Sequence, residues 1–295
     1  MNDGIQAESD ALIASGIIDI TTGGGSSVVL GDDTDSAKGI KAETYIIVDD
    51  RTLTIDSADD TFNSNDALVI NGGTLNLATG DDALHADNST AIYDGTITVT
   101  KSYEGIEGAI VIIAGGTNKI TSSDDGINAA GDDFDNTMYI VGGYTAVTAS
   151  GDGIDANGSI IMINGTLLVN SPTNNGNGAV DYDDSFTVNG GTFVATGSSG
   201  MAQTASQGSA QNALLIKFNS SKQANTLINI SDSSGTNILT FAPSKTYQSL
   251  AFSSSDLTEG ETYTIALRVP KRMGITQMQR TVEEQPTLRL QYLTL

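Results

Sequence analysis

A six-residue phrase recurs down this chain, and its cleanest copy is Asp124-Asp125-Gly126-Ile127-Asn128-Ala129. Versions are centred on Ile40, Phe62, Leu84, Ile106, Ile127, Ile154 and Val180, at successive separations of 22, 22, 22, 21, 27 and 26 residues by subtraction. A near-constant period in this range specifies a stacked architecture, in which each unit buries its apolar face only against its neighbours. Stacking also turns one acidic motif into columns of carboxylates, and such columns bind cations.

A second phrase alternates with the first: Asn71-Gly72-Gly73-Thr74, Asp94-Gly95-Thr96, Gly115-Gly116-Thr117, Gly142-Gly143-Tyr144, Asn164-Gly165-Thr166 and Gly190-Gly191-Thr192. Each is a turn signal, and the residues around it alternate in polarity as half-buried strands do. One coil therefore reads strand, glycine turn, strand, acidic turn, short strand. This predicts an all-β parallel β-helix of about eight coils over residues 1–200, about 35–40 Å long at about 4.8 Å per coil. The interior ladders fall on the seven phrase centres and on Leu75, Ile97, Val99, Ile120, Val147 and Val169, with small residues at Ala42, Ser64, Ala86, Ala129 and Ala156. A closed barrel accounts less well for the constant period.

Extra residues around Asp132–Asp135 and Pro172–Asn177 predict loops. Residues 201–211 read as a connector within a Gly/Ser/Gln/Ala-rich stretch. Residues 212–265 read as a small antiparallel β cap with strands at Leu214–Phe218, Thr226–Ile230, Asn237–Phe241 and Tyr247–Phe252. Residues 266–295 lack the repeat and hold five of the 13 bases, so they read either as a surface tail or as the product of a reading-frame change after Ile265. Asp3-Gly4-Ile5-Gln6-Ala7 already matches the phrase, so an N-terminally truncated β-helix is expected, its export signal lost with the missing segment.

With 36 acids against 13 bases the net charge is −23. That argues against nucleic acid and anionic membranes as partners and is compatible with multivalent cations. Absent cysteine rules out disulfides and thiolate metal sites. No apolar run reaches the length of a membrane span, so no membrane insertion is expected. A monomer is expected.

In the stacked turns, the position two before each centre reads Lys38, Asp60, Asp82, Glu104, Asp125, Asp152, Gly178, and the one before it supplies Asp59, Asp81 and Asp124. The position just after the centre reads Lys41, Asn63, His85, Glu107, Asn128, Asp155, Asp181, and Asp87 follows two further on in its coil. Like charges about 4.8 Å apart repel by ~0.9 kcal/mol in water and ~3.5 kcal/mol at an effective dielectric of 20. Two oxygens on opposite sides of a calcium ion, each about 2.4 Å away, are about 4.8 Å apart. The coil pitch therefore matches a calcium bridge, and the columns offer no soft ligand for copper or zinc. The candidate metal ligands are Asp59, Asp60, Asp81, Asp82, Asp87, Glu104, Glu107, Asp124, Asp125, Asp152 and Asp155, with calcium as the cofactor. The plainer reading is that Asp, Asn and Gly make turns and keep a β rod soluble. Tyr103, Tyr182 and His85 are candidate sugar contacts, with structural turn roles as the alternative.

These phrases, together with Lys101-Ser102-Tyr103-Glu104-Gly105-Ile106-Glu107-Gly108 and Gly200-Met201-Ala202-Gln203, resemble a family of bacterial secreted β-helix proteins with a carbohydrate-binding domain. The resemblance covers roughly residues 1–265. It implies a right-handed coil, bound calcium, an acidic polysaccharide such as polygalacturonate as partner, an extracellular or cell-surface location and a fold similar to calcium-dependent pectate lyases. In those lyases a DDxxD-like turn holds the metal. Here Asp59-Asp60-Thr61-Phe62-Asn63, Asp81-Asp82-Ala83-Leu84-His85 and Asp124-Asp125-Gly126-Ile127-Asn128 each lack the final Asp, which argues against a lyase site. The expected function is non-catalytic, calcium-dependent binding. The alternatives are a lyase with Lys119 or Lys101 as base, and a structural or adhesive rod.

Overall fold

The structure is a computed structural model that describes residues 3–14, 16–31, 36–131 and 135–268, plus the backbone of strands Glu283–Glu284 and Leu288–Arg289. Among the described residues every regular element is a strand, and no helix is long and apolar enough to cross a membrane. Each coil contributes three strands to three parallel sheets. A short face runs from Ile5–Ala7 to Ile154–Ala156, with Val180 adding one further bridge to Ile154. A middle face runs from Ala11–Ile13 to Ser185–Val188, and a long face from Ile17–Thr22 to Thr192–Gly197. Eight rungs, or seven full turns, make a β-solenoid.

The pairing register matches the sequence period residue for residue. Ile5, Ile40, Phe62, Leu84, Ile106, Ile127 and Ile154 are successive partners on the short face. All lining residues expected from the repeat are buried, and they merge into one continuous core with Val48, Ile70, Ile113, Met162 and Phe186. The glycine turns form their own column: Gly73, Gly95, Gly116, Gly143, Gly165 and Gly191 all have φ between 75° and 116°, a backbone conformation that only glycine adopts without strain. A side chain there would also strike the backbone of the coil before.

The three faces end in three ways. The long face continues into an antiparallel pairing of Thr192–Gly197 with Tyr247–Ser253, which in turn pairs with Ala213–Lys222. Leu227–Ser231, Asn237–Phe241 and Thr262–Arg268 form a second antiparallel sheet, and a separate cluster including Val194, Phe218, Ile230, Tyr247 and Ile265 holds the cap together. This covers an edge that would otherwise present unpaired backbone. On the middle face, Ser206 N donates to Phe186 O and Gln211 N to Val188 O, so the stretch read as a connector lies along the last rung as a partial ninth layer. On the short face, Gln203 Nε2 donates to Asp181 Oδ1 across 22 residues, continuing the column.

The cap strand Thr262–Arg268 was not among the four strands expected and passes the expected boundary at 265. The reading-frame idea concerns the tail beyond it, which lies outside the described residues apart from two short strand backbones pairing with Thr262–Arg268. Of the two expected loops, Pro172–Asn177 is largely exposed, whereas residues 132–134 lie outside the described residues. The longest insertion escaped the sequence reading. Ile5 and Ile40 are register partners 35 residues apart by subtraction, so this coil carries an insertion, of which residues 23–31 are described; it opens at Gly23, Gly24 and Gly25, all at positive φ.

Because Leu84 is fully buried between Phe62 and Ile106, Leu84→Ala is expected to lower unfolding free energy by about 2–5 kcal/mol. The outward Thr74→Ala is expected to change it by less than about 0.5 kcal/mol. Urea midpoints measure both, and equal effects would contradict the assignment of inward and outward ladders.

Candidate cation-binding corner

Two neighbouring column positions meet at the corner where the long face turns into the short face. The acid two before each centre lies in the turn. The residue just after the centre is the middle of a three-residue strand whose flanking residues point inward, so it points out, toward that acid.

The turn acids first serve the fold. Asp3 Oδ1 accepts Lys38 N at 2.9 Å, Asp60 Oδ1 accepts Asp82 N at 3.0 Å, and Asp82 Oδ1 accepts Glu104 N at 2.9 Å. Asp125 Oδ1 accepts Asp152 N at 2.5 Å, and Asp152 Oδ1 accepts Gly178 N. Each carboxylate thus uses one oxygen to satisfy the first amide of the next coil's turn, an otherwise unpaired donor, and its second oxygen is not needed for that bond. Glu104 breaks the ladder. Its longer side chain accepts from Asn128 Nδ2 at 3.1 Å instead.

Acids and one histidine of the corner gather into three clusters, each with ligand atoms within 4.8 Å of one another: Asp59, Asp60 and Asp81; Asp82, His85 and Glu107; and Asp125, Asp152 and Asp155. Two of these already hold a cation that belongs to the chain. Lys38 Nζ lies 3.0 Å from Asp59 and 2.5 Å from Asp60. Burial works against its charge, but the two carboxylates outweigh burial and hold the ammonium above its ordinary value. In the second cluster, His85 Nδ1 is 2.5 Å from Glu107 and 3.6 Å from Asp82, and Nε2 is 3.1 Å from Asp87. Burial would neutralise the ring, yet Asp82 and Glu107 push it up to about 11, so it is an imidazolium. With both ring nitrogens engaged by carboxylates, His85 acts as a counterion within the acid column.

The third cluster differs. Among the described residues no salt bridge reaches Asp125, Asp152 or Asp155. Burial, reinforced by neighbouring carboxylates, pushes Asp125 up to about 7 and Asp155 up to about 6. Asn128, in register with Asp155 and in the same coil as Asp125, is buried; its Nδ2 turns away to Glu104, and its Oδ1 has no hydrogen-bond partner. Gly151 supplies the room: a Cβ there would strike Asp124 Oδ1 and Asp125 Oδ1. Asp124 sits beside the cluster, accepting a bond from the exposed Tyr103 hydroxyl and pushing that phenol up to about 12. The donor set is all oxygen, which fits a hard ion that takes 6–8 oxygen ligands and does not fit a soft one.

Of the other expected site residues, Tyr182 is partly buried, packs edge-on against Phe186 and donates its hydroxyl to Thr204 O, which accounts for it structurally. Lys119 points outward from the long face, in register with Thr98 and Ala146, away from the acid clusters. Lys101 donates to the carbonyl of Ser26. Sequence reasoning missed the internal counterions. The signal was present as two basic residues, Lys38 and His85, standing inside otherwise acidic columns.

Fold and corner together define a strongly acidic β-solenoid with a carboxylate cluster that no side-chain cation neutralises among the described residues. Residues 1–83 and 81–236 match the family described as carbohydrate-binding domain-containing protein, and the chain belongs to that family. No curated protein and no solved structure matches it.

In chelator, the raised carboxylates fix the sign of the pH response. Asp125, Asp155 and Glu104, the last pushed up to about 8 by burial and by Glu107, take up protons in the folded state that the unfolded chain does not hold. Their stabilisation is full below the ordinary carboxylate range and disappears as pH rises through about 6–8. His85 acts in the same direction, keeping a proton that the unfolded ring loses near pH 6.5. The urea midpoint in EDTA is therefore expected to fall from about pH 5 to about pH 8, and a flat or rising profile would contradict the uncompensated cluster.

Proposed function

We propose that the chain is a non-catalytic, calcium-dependent binder of acidic polysaccharide of the polygalacturonate type. The observation that carries this reading is the contrast between the clusters: two acidic clusters hold Lys38 or His85, and the third holds no basic side chain but adds a buried, unbonded Asn128 oxygen. Asp125, Asp152, Asp155 and Asn128 would hold calcium with positions left for outside oxygens. A uronate carboxylate supplies such oxygens, so one bound ion lets a protein of net charge −23 retain a polyanion. Membership of a carbohydrate-binding family supports a glycan partner. Few protein ligands and open positions suit the weak class of calcium site, about 10⁻⁴–10⁻³ M, found in extracellular modules, in keeping with a secreted or cell-surface location.

A lyase has less support. β-Elimination needs a base beside the metal-bound uronate, whereas Lys119 lies on another face and Lys101 is bonded to Ser26. Polygalacturonate retention is expected in calcium and not in EDTA. Asp152→Asn with Asp155→Asn is expected to reduce calcium affinity at least about tenfold, a loss of ~1.4 kcal/mol, and to abolish retention. Calcium binding without any retention would leave a structural rod. Unsaturated product detected in the ultraviolet would establish a lyase.

A further inference from the structure

The start of the insertion, residues 23–28, opened by the three glycines, folds back along the rod rather than into solvent. Gly25 N donates to Thr22 O at 2.9 Å, Val28 N to Gly25 O at 3.0 Å, and Ser26 N to Asp56 Oδ1 at 2.6 Å. Lys101, 75 residues further on, closes the fold-back by donating to Ser26 O. Between this loop and the acidic turns of two coils lies a cleft of about 270 Å³, lined by Ser26, Val28, Val29, Asp59, Asp81 and Lys101 among others.

Two features of the cleft suit a ligand. Val29 is 93% exposed and Val28 38% exposed on a loop whose backbone is pinned at several points, so apolar surface is displayed in a fixed place. An ammonium also stands in the lining of a cleft on a protein with few bases. Its bond to Ser26 uses one of three donors. Asp59 is committed to Lys38, which leaves Asp81 as an available acceptor. Apolar wall, acceptor and ammonium around a space below the usual 300–1,000 Å³ of small-ligand sites fit one ring rather than a chain.

We propose that this cleft is a calcium-independent subsite for a single uronate residue of a glycan. The CH face of the pyranose rests on Val28 and Val29, its carboxylate pairs with Lys101, and its hydroxyls donate to Asp81. The subsite extends the carbohydrate reading above but does not use the third acid cluster. The cleft and that cluster lie along the same corner, a few rungs apart, so a polymer engaging both would run parallel to the rod axis.

The test is titration of the whole protein with trigalacturonate in EDTA, followed by backbone amide NMR. Shifts are expected at residues 26–30 and around Asp81. Lys101→Met and Val29→Asp should each weaken the titration about tenfold or more. Val29→Asp leaves the Lys101 clasp in place, so its loss cannot come from a released loop. An uncharged trisaccharide is expected to bind distinctly less well. No shift at residues 26–30, unchanged titrations in both variants, or equal binding of the uncharged sugar would each overturn the assignment. Cleft shifts in EDTA without calcium-dependent polymer retention would sink the calcium reading alone. Retention in calcium that is unaffected by either variant, with no shifts in EDTA, would sink the cleft alone.

Discussion

Parallel pairing at a fixed pitch of about 4.8 Å is the constraint from which the other features follow. It places Ile40 over Ile5 and Phe62 over Ile40, so one aliphatic residue per coil becomes a continuous core. It also places each turn acid within reach of the next coil's backbone amide, so that Asp60, Asp82, Asp125 and Asp152 each close a turn they do not belong to. The same carboxylates then stand close enough to repel. A fold that uses acids as turn acceptors accumulates charge along one corner as an unavoidable by-product.

The chain resolves that charge differently along its length. Toward the N-terminal end an ammonium, Lys38, is built into the column, and in the middle His85 is forced into its charged form by the acids around it. Toward the cap no salt bridge reaches the acids among the described residues, and Asn128 keeps an unbonded oxygen while its amide donates to Glu104, as Asn63, the corresponding residue three coils earlier in the acid column, donates to Asp60 Oδ2 at 2.9 Å. The structural role of the acids is therefore compatible with the binding role proposed for them. One carboxylate oxygen serves the backbone, and the other is neutralised internally or left for an outside ion.

The sequence made the solenoid legible because its period is written in residues that a stacked strand requires: an aliphatic centre, a small residue two further on and a glycine at the intervening turn. Register followed from the period, and with it the neighbours of every column residue. The pairing of individual side chains was less legible. Lys38 and His85 stand in the columns, but their neutralising role depends on rotamers that bring Nζ and Nδ1 onto particular oxygens. The backbone role of the aspartates was hidden because Asp in a turn is explained well enough by local propensity. The insertion after Thr22 is hidden in the sequence because Ile5 resembles the remnant of a truncated coil, which sets no spacing to Ile40. The last cap strand, Thr262–Arg268, alternates like its partners but straddles a change in composition that drew the boundary short.

Eight rungs at that pitch carry the 30 acids and five bases of residues 1–200, a net −25 over a length of about 34 Å, or about one charge per 1.4 Å. Double-stranded DNA carries one per about 1.7 Å and condenses a sheath of counterions as a result. In electrostatic terms the solenoid is a short polyelectrolyte. Monovalent ions crowd its surface whatever its ligand, and any divalent ion that settles at the corner releases several of them. The gain in their entropy makes its attachment sensitive to the salt around it.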